Sequence, residues 1–193
     1  EKAAQWVCDS FRQLGFDARL TRKGGVLVDF GGENKEDGLL LEAHTDTLGA
    51  MVCQVKGSGA LKLTNLGGMN ANNAEAENVR VYTRDGRVYE GTCQLHDPSI
   101  HVNGGYNDAK RSWDSVEIIL DEDVRSQEDV KALGIQVGDI VCFDPRTRRT
   151  ASGYLKSRFL DDKLSVGILF GFAKYLKDNG ITPARRVYGH VTV

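Results

Sequence analysis

The chain has 193 residues, of which 40% are hydrophobic and 27% are charged, a balance typical of a globular protein that buries a core. This length fits one ordinary domain, or one domain that carries an insertion. The formal net charge of −2 gives no electrostatic reason to expect nucleic acid or an anionic membrane as a partner, and no apolar stretch reaches the roughly 18 residues of a membrane-spanning helix.

The first part of the chain predicts a helix, a hairpin and a strand. Apolar residues recur at helical spacing before a glycine at which the helix is expected to stop: Ala3, Trp6, Val7, Phe11, Leu14 and then Gly15. Residues 16–32 predict two short strands around a Lys-Gly-Gly turn. The apolar run of residues 38–44 (GLLLEAH) is typical of a strand that is buried on both faces. Together these elements indicate an α/β layer.

Residues 57–150 have a different pattern, in which short strands alternate with turns rich in glycine, asparagine and aspartate. The pair Asp85-Gly86, between two alternating strands, is a strong hairpin signal. A short helix is expected between Ser126, its N-cap, and Gly134, its stop. The pattern predicts a compact β-rich domain that is partly barrel-like.

After that domain the α/β character returns. Residues 162–180 predict a long helix that is apolar nearly all round, which indicates burial between a sheet and a second layer. Residues 185–193 (RRVYGHVTV) predict a final strand. The economical interpretation is one α/β domain with a mixed sheet, formed by residues 1–56 and 151–193 and interrupted by the inserted β-rich domain of residues 57–150.

The cysteines and the two ends of the chain carry further information. Four cysteines are widely separated and form no C-x-x-C pair: Cys8, Cys53, Cys93 and Cys142. This spacing argues against zinc-ribbon and redox motifs, and it predicts reduced, buried thiols in a cytoplasmic protein.

Glu1 already lies inside a helical pattern, and Val193 ends a strand pattern without a turn signal. We therefore expect the chain to be a fragment of a longer protein.

Two polar residues stand at the end of the apolar run of residues 38–44. His44 closes that run, and Asp46 follows two positions later. Functional sites of α/β sheets lie outside the carboxyl ends of the strands, where this pair is expected. In a metal site Asp46 is well placed to orient His44. Taken alone, however, the pair favours a structural role, in which the two side chains satisfy each other.

A second pair, Asp161 and Asp162, falls where a loop meets the start of the long helix. Carboxylates at this position cap free N–H groups and are favoured by the helix dipole. Capping accounts well for one carboxylate and less well for two in succession, because adjacent like charges repel unless a cation or a donor separates them. Taken alone, this pair also favours a structural role, as a helix cap.

Together the two stretches resemble a specific family. AHTDTLGAMV (residues 43–52) and RFLDDKLSVG (residues 158–167), separated by a β-rich insertion, resemble the glutamyl aminopeptidase and tetrahedral aminopeptidase family of dinuclear metallopeptidases. Some members of this family are labelled cellulase M or endoglucanase. Residues 79–102 and 123–145 are similar to the family's inserted domain in order and length. The resemblance covers essentially all 193 residues.

The resemblance implies a role for each residue of the two pairs. His44 is the ligand of one metal ion, and Asp46 belongs to the catalytic set as the acid behind it. Asp161 bridges two metal ions, and in relatives it is joined to the next residue, here Asp162, by a cis peptide bond. Lys163 stands where the family often has arginine, which keeps the charge but loses the bidentate geometry. Asp162 and Lys163 are expected to line the site.

The cofactors implied are two divalent ions, zinc, cobalt or manganese, which activate a water molecule for attack on a peptide carbonyl. The family pattern also requires a Glu–Glu pair just after the strand of residues 185–193, then an Asp and a His. The chain ends at Val193, before all four. We therefore expect this chain alone to be inactive and to bind metal weakly if at all.

The resemblance predicts a cytoplasmic aminopeptidase that removes amino-terminal residues from peptide substrates. It implies a homo-oligomer, from a dimer up to a tetrahedral dodecamer, with no nucleic-acid or membrane partner. Two alternatives stay open: a dinuclear-metal hydrolase of N-acyl amino acids or dipeptides, and a non-catalytic binding module of the same fold. A Glu–Glu pair, an Asp and a His in the gene beyond Val193 would separate the enzymes from the binding module.

Overall fold

A computed structural model describes residues 2–193, which divide into two compact units. The α/β unit is formed by the residues up to Thr47 together with Phe159–Val193. The barrel unit is the continuous stretch Leu48–Arg158.

In chain order the elements are α1 (Lys2–Gln13), β1 (Asp17–Leu20), β2 (Val26–Gly31), β3 (Asn34–His44), β4 (Gly49–Val55), β5 (Leu61–Leu66), a 3-10 turn (Ala71–Asn73), β6 (Glu77–Tyr82), β7 (Val88–Leu95), β8 (Val116–Leu120), α2 (Gln127–Ala132), β9 (Ile140–Phe143), β10 (Arg148–Arg149), β11 (Leu155–Lys156), α3 (Lys163–Asn179) and β12 (Arg185–Thr192). Within residues 2–193, no helix is both long and apolar enough to cross a membrane.

The unit boundaries differ from the limits expected from the sequence, which lie between residues 56 and 57 and between residues 150 and 151. β4 pairs with β5 and β9 and so belongs to the barrel. β11 pairs with β10 in a short hairpin, which also belongs to the barrel unit. β4 and β11 both lie outside residues 57–150, the range expected for the β-rich domain.

The α/β unit is built on a mixed four-stranded sheet with the order β1-β2-β12-β3. β12 runs antiparallel to β2 and parallel to β3. Both helices of the unit pack on one face of the sheet, because Phe11 of α1 and Phe172 of α3 each make an edge-to-face contact with Phe30 of β2, at centroid distances of 5.7 and 5.3 Å. The expected mixed α/β sheet is confirmed.

The sequence predicted α1 correctly but misplaced part of its buried face. The residues that reach the core are Ala4, Val7, Cys8 and Phe11, a stripe at i, i+3, i+4 and i+7. Trp6 lies beside this stripe and is 63% exposed, with one ring edge against Phe170 at 5.7 Å. The helix therefore presents this stripe, and not the tryptophan, to the sheet.

β3 is not buried on both faces as its apolar run predicted. It lies at the edge of the sheet, with β12 on one side and no other strand of residues 2–193 on the other. Leu39 and Leu40, which point to opposite faces, are 45% and 51% exposed, and Ala43 is the buried residue of the strand. An apolar run reports composition, whereas burial depends on what packs against each face.

α3 also differs from its prediction, which placed it between two layers. One face is buried through Val166, Leu169, Ala173 and Leu176. On the opposite face, within the described residues, Ile168 remains 62% exposed because no second layer covers it. The helix ends as predicted at Gly180, which adopts the left-handed conformation with a φ of 61°.

The barrel unit contains a closed six-stranded barrel with the order β4-β5-β8-β7-β6-β9, so the expected barrel-like character is confirmed. The Asp85-Gly86 hairpin joins β6 to β7, and Gly86 supplies the positive φ of 87° that the turn requires. Ser126 caps α2 by accepting a hydrogen bond from the backbone N–H of Asp129 at 3.1 Å.

All four cysteines are unpaired, but only Cys8 and Cys93 are buried as predicted, while Cys53 and Cys142 are exposed. Burial, assisted by the nearby carboxylates Glu75 and Glu77, raises the pKa of the Cys93 thiol to about 12, so this thiol stays protonated at neutral pH.

Candidate metal centre

The candidate site lies where two parallel strands end together. β3 and β12 run side by side up to the pair His44 and Thr192. Parallel strands bring their carboxyl ends to one edge of the sheet, which is where α/β folds place their sites. The turn that leaves β3 is tied to this edge, because Thr45 donates its backbone N–H to the carbonyl of Thr192 at 3.0 Å.

His44 lies between two carboxylates. Its Nε2 is 3.0 Å from Oδ1 of Asp161, which is 117 residues away in the sequence. Its Nδ1 is 3.0 Å from Oδ1 of Asp46, but the geometry does not make a hydrogen bond, and this buried nitrogen has no hydrogen-bond partner within residues 2–193. The Asp46 contact is therefore electrostatic, whereas the Asp161 contact has hydrogen-bond geometry.

A neutral imidazole cannot donate a hydrogen bond to both carboxylates at once. A neutral ring carries one N–H and one lone pair, so it can donate to only one of the two carboxylates. Nε2 is the nitrogen with hydrogen-bond geometry towards a carboxylate, Asp161, whereas Nδ1 lies 3.0 Å from Asp46 without such geometry. Two carboxylates beside one ring attract a cation, so the geometry is compatible with a metal ion bound at His44.

Asp162 occupies the N-cap position of α3 but does not act as a cap. Its side chain makes no capping hydrogen bond. Its Oδ2 instead accepts the backbone N–H of His44 at 3.3 Å. The peptide bond between Asp161 and Asp162 is cis, as the family resemblance implied. The capping interpretation of this pair is therefore wrong for Asp162, and both carboxylates are directed at His44.

Lys163 begins α3 and reaches the turn after β3. Its Nζ donates a hydrogen bond to Oγ1 of Thr47 at 2.7 Å. Partial burial lowers the pKa of the Lys163 ammonium, against the opposing effect of the carboxylates Asp46, Asp161 and Asp162. The ammonium thus supplies positive charge at an otherwise acidic edge of the sheet.

Residues 24–193 match the model of the M42 glutamyl aminopeptidase family. The chain belongs to this family. Over 147 residues it is 44% identical to the putative aminopeptidase YhfE of Bacillus subtilis. The matched region covers 76% of this chain and 42% of that protein. The chain spans a little under half the length of the curated relatives that it matches.

Solved structures agree on the fold. Aminopeptidase APDkam598 from the archaeon Desulfurococcus kamchatkensis is similar with a TM-score of 0.85 and 24% identity, covering 100% of this chain and 50% of that one. The TET1 peptidase of Pyrococcus horikoshii, which can assemble into a tetrahedron or a large octahedral shell, is similar with a TM-score of 0.77 and 23% identity, covering 98% of this chain and 54% of that one.

The M42 family is generally metal-dependent, and two donor atoms of this chain fit a shared cation. Two ligands at about 2.0–2.2 Å from one tetrahedral ion lie roughly 3.3–3.6 Å apart, and Nε2 of His44 is slightly closer than that to Oδ1 of Asp161, at 3.0 Å. The carboxylate of Asp46 lies 3.0 Å from Nδ1, on the side where a carboxylate commonly orients a ligating imidazole, although the two do not form a hydrogen bond. Within residues 2–193, however, no group of three or more His, Cys, Asp or Glu side chains is placed to hold an ion.

The structure brings the residues singled out in the sequence to one end of the sheet: His44, Asp46, Asp161, Asp162 and Lys163. Sequence reasoning missed the threonines that connect them, Thr47 and Thr192. For Thr47 the available signal was its place beside Asp46 in HTDT (residues 44–47), because short hydroxyl side chains beside a site acid often bond neighbouring backbone.

Proposed function

We propose that this M42 chain supplies part of the dinuclear metal site of an aminopeptidase. His44 would bind one ion through Nε2, and Asp161 would bridge two ions. The observation that carries the proposal is the 3.0 Å distance between Nε2 of His44 and Oδ1 of Asp161, which are 117 residues apart in the sequence. Carboxylates beside both ring nitrogens of a histidine are common at metal sites, where one acts as a ligand and the other orients the ring.

The other residues act on these two donors. Asp46 holds Nδ1 of His44 electrostatically and so directs Nε2 towards Asp161. Asp162 fixes the backbone at His44 through its N–H. Lys163 offsets the charge of the surrounding carboxylates. Two divalent ions bound here, zinc, cobalt or manganese, would polarise a peptide carbonyl and lower the pKa of an attacking water.

We infer that these residues alone bind metal weakly and do not hydrolyse peptides. A zinc site that performs catalysis has about three protein ligands for each ion, and His44 with Asp161 supplies two donors in all. The same reasoning extends the proposal to peptide substrates and to self-association, since the structurally similar TET1 peptidase forms closed shells. The four unpaired thiols agree with a reducing, cytoplasmic location.

Metal titration tests the ligand assignment. Co²⁺ is added to the metal-free chain, and its visible spectrum reports binding. We expect weak, saturable binding that is lost in His44→Ala and in Asp161→Asn. His96→Ala is the matched control, because His96 also lies beside an aspartate, Asp97, at 3.4 Å. Binding that survives both site variants, or that His96→Ala abolishes, would contradict the assignment.

Hydrolysis tests the activity. The 193-residue chain is compared with a longer polypeptide in which the same residues are followed by the half that the relatives possess, using aminoacyl-nitroanilides with and without a chelator. We expect activity in the longer polypeptide alone and its loss on chelation. Turnover by the 193 residues alone would overturn the inference of inactivity, and chelator-insensitive turnover would overturn the metal mechanism.

A further inference from the structure

We infer that Thr47 is a positioning residue, which holds Asp46 against His44 by anchoring the turn after β3 to Lys163. The inference concerns the same site and rests on the proposed function for its catalytic meaning. The contact that it explains, between Asp46 and Nδ1 of His44 at 3.0 Å, can be examined without a metal.

The turn that carries Asp46 is anchored on its first side by Thr45. The backbone N–H of Thr45 donates to the carbonyl of Thr192 at 3.0 Å, and its hydroxyl lies 3.3 Å from the same oxygen. These bonds fix the residue before Asp46 to β12. They leave the residue after it free to rotate, so the direction of the Asp46 side chain requires a second anchor.

Thr47 provides the second anchor. Its Oγ1 accepts a hydrogen bond from Nζ of Lys163 at 2.7 Å, across 116 residues of sequence. A hydrogen bond from an ammonium is about twice as strong as one between neutral groups. The same hydroxyl lies 3.4 Å from the carbonyl of Thr45, which tightens the turn around Asp46.

Lys163 is itself held in place by the residue before it. Asp162 accepts the backbone N–H of His44 at 3.3 Å, and Lys163 is the first residue of α3. The end of β3 and the start of α3 are thus joined twice, once through His44 and Asp162 and once through Thr47 and Lys163. Asp46 lies inside the closed loop formed by these two connections, so its position is set from both sides.

A simpler explanation treats the bond between Lys163 and Thr47 as an ordinary surface contact. Both residues are exposed, and most exposed pairs contribute little to stability. The two explanations differ in what they predict for His44. A surface contact leaves the ring of His44 unchanged when it is removed, whereas an anchor changes the ring through Asp46 and loses its effect once Asp46 is gone.

The first measurement needs no metal. The ¹⁵N chemical shifts of the His44 ring are recorded in mildly alkaline buffer for the wild type, Thr47→Val, Thr47→Ser, Asp46→Asn and the double variant Thr47→Val with Asp46→Asn. We expect Thr47→Val to move the shifts in the same direction as Asp46→Asn, Thr47→Ser to rescue them by retaining the hydroxyl, and Thr47→Val to add nothing to Asp46→Asn. Thermal unfolding confirms that each variant folds.

The second measurement is the affinity for Co²⁺. Thr47→Val should weaken His44-dependent binding about tenfold, the lower end of the range for groups that support a ligating histidine. Lys163→Met should weaken binding to the same extent. The double variant Thr47→Val with Lys163→Met should show no further loss of affinity. Unchanged ring shifts in Thr47→Val, or an undiminished effect in the Asp46→Asn background, would overturn the inference. Absence of His44-dependent metal binding would instead defeat the proposed function and leave the ring measurement decisive for Thr47.

Discussion

Glu75 is held in the barrel unit by a two-pronged ion pair with Arg111. Nε of Arg111 donates to Oε2 at 2.8 Å and Nη2 donates to Oε1 at 3.2 Å. The hydroxyl of Tyr106 donates to Oε1 as well, at 3.2 Å. The hydrogen bonds from Arg111 lower the pKa of the Glu75 carboxyl, and partial burial opposes them.

The pair predicts a pH-dependent contribution to stability. Because the pKa of Glu75 is lowered in the folded state, its contribution is complete above the ordinary glutamate pKa and is lost as the pH falls through the lower folded value. Glu75→Gln should lower the free energy of unfolding at neutral pH by about 2 kcal/mol, since Arg111 loses its charged partner. Urea unfolding should show this difference shrink as the pH falls from about 5 towards 2.

Glu122→Gln serves as the control for this change, because Glu122 lies on an exposed loop and the substitution removes the same charge. It should alter the free energy of unfolding by less than about 0.5 kcal/mol. A difference for Glu75→Gln that stays constant across this pH range would show that the ionised pair is not its source.

The sequence could identify the reactive residues of the candidate site but not their contacts. His44 and Asp46 stand out because a polar pair ends an apolar strand, and Asp161 and Asp162 stand out because two acids adjoin. The bond between Lys163 and Thr47 spans 116 residues and depends on how α3 docks beside β3. No local pattern encodes that docking, so the contact between Thr47 and Lys163 could be found only from the fold.

β12 passes so close to its neighbour that only glycine fits at position 189. A Cβ there would lie 2.7 Å from Cγ1 of Val28 and 2.8 Å from Cε2 of Phe30. Gly189→Ala should therefore lower the free energy of unfolding by about 1–3 kcal/mol through overpacking. Gly171→Ala is the matched comparison: it lies on the exposed side of α3 with no atom within 4 Å and should raise that free energy by up to about 1 kcal/mol.

Chemical denaturation measures the free energy of unfolding of both variants. Opposite signs are expected, because the same methyl group enters a filled space at one site and open solvent at the other. If Gly189→Ala were as stable as the wild type, the close approach of β12 to Phe30 would not exist in solution.

At the level of elements, the sequence predicted local structure well and burial poorly. α1, the Asp85-Gly86 hairpin and the Ser126 cap depend on periodicity and on side chains a few residues apart, which a sequence displays directly. β3 and α3 were expected to be covered on both sides, and each is covered on one. Apolar composition shows that a segment can be buried, but what packs against the segment decides which face is.

The two units of the molecule differ in how their chain segments are arranged, and this difference predicts how each folds. The barrel unit is one continuous stretch, Leu48–Arg158, and its six strands close on themselves, so no strand edge of the barrel is left unpaired. Its core is its own: Leu61 and Ile118 are fully buried within it. In the α/β unit, β12 lies between β2 and β3. The segment before the barrel therefore contains β2 and β3 but not the strand that connects them in the sheet.

We therefore expect a polypeptide of residues 48–158 to fold by itself, whereas a polypeptide of residues 2–47 should not. The first should unfold in a single cooperative transition in urea, followed by circular dichroism, and should show dispersed amide resonances. The second should show neither, because β2 and β3 have no direct pairing without β12. Mixing residues 2–47 with residues 159–193 restores the missing strand and provides the control. A non-cooperative transition for residues 48–158 would mean that the closed barrel depends on the rest of the chain.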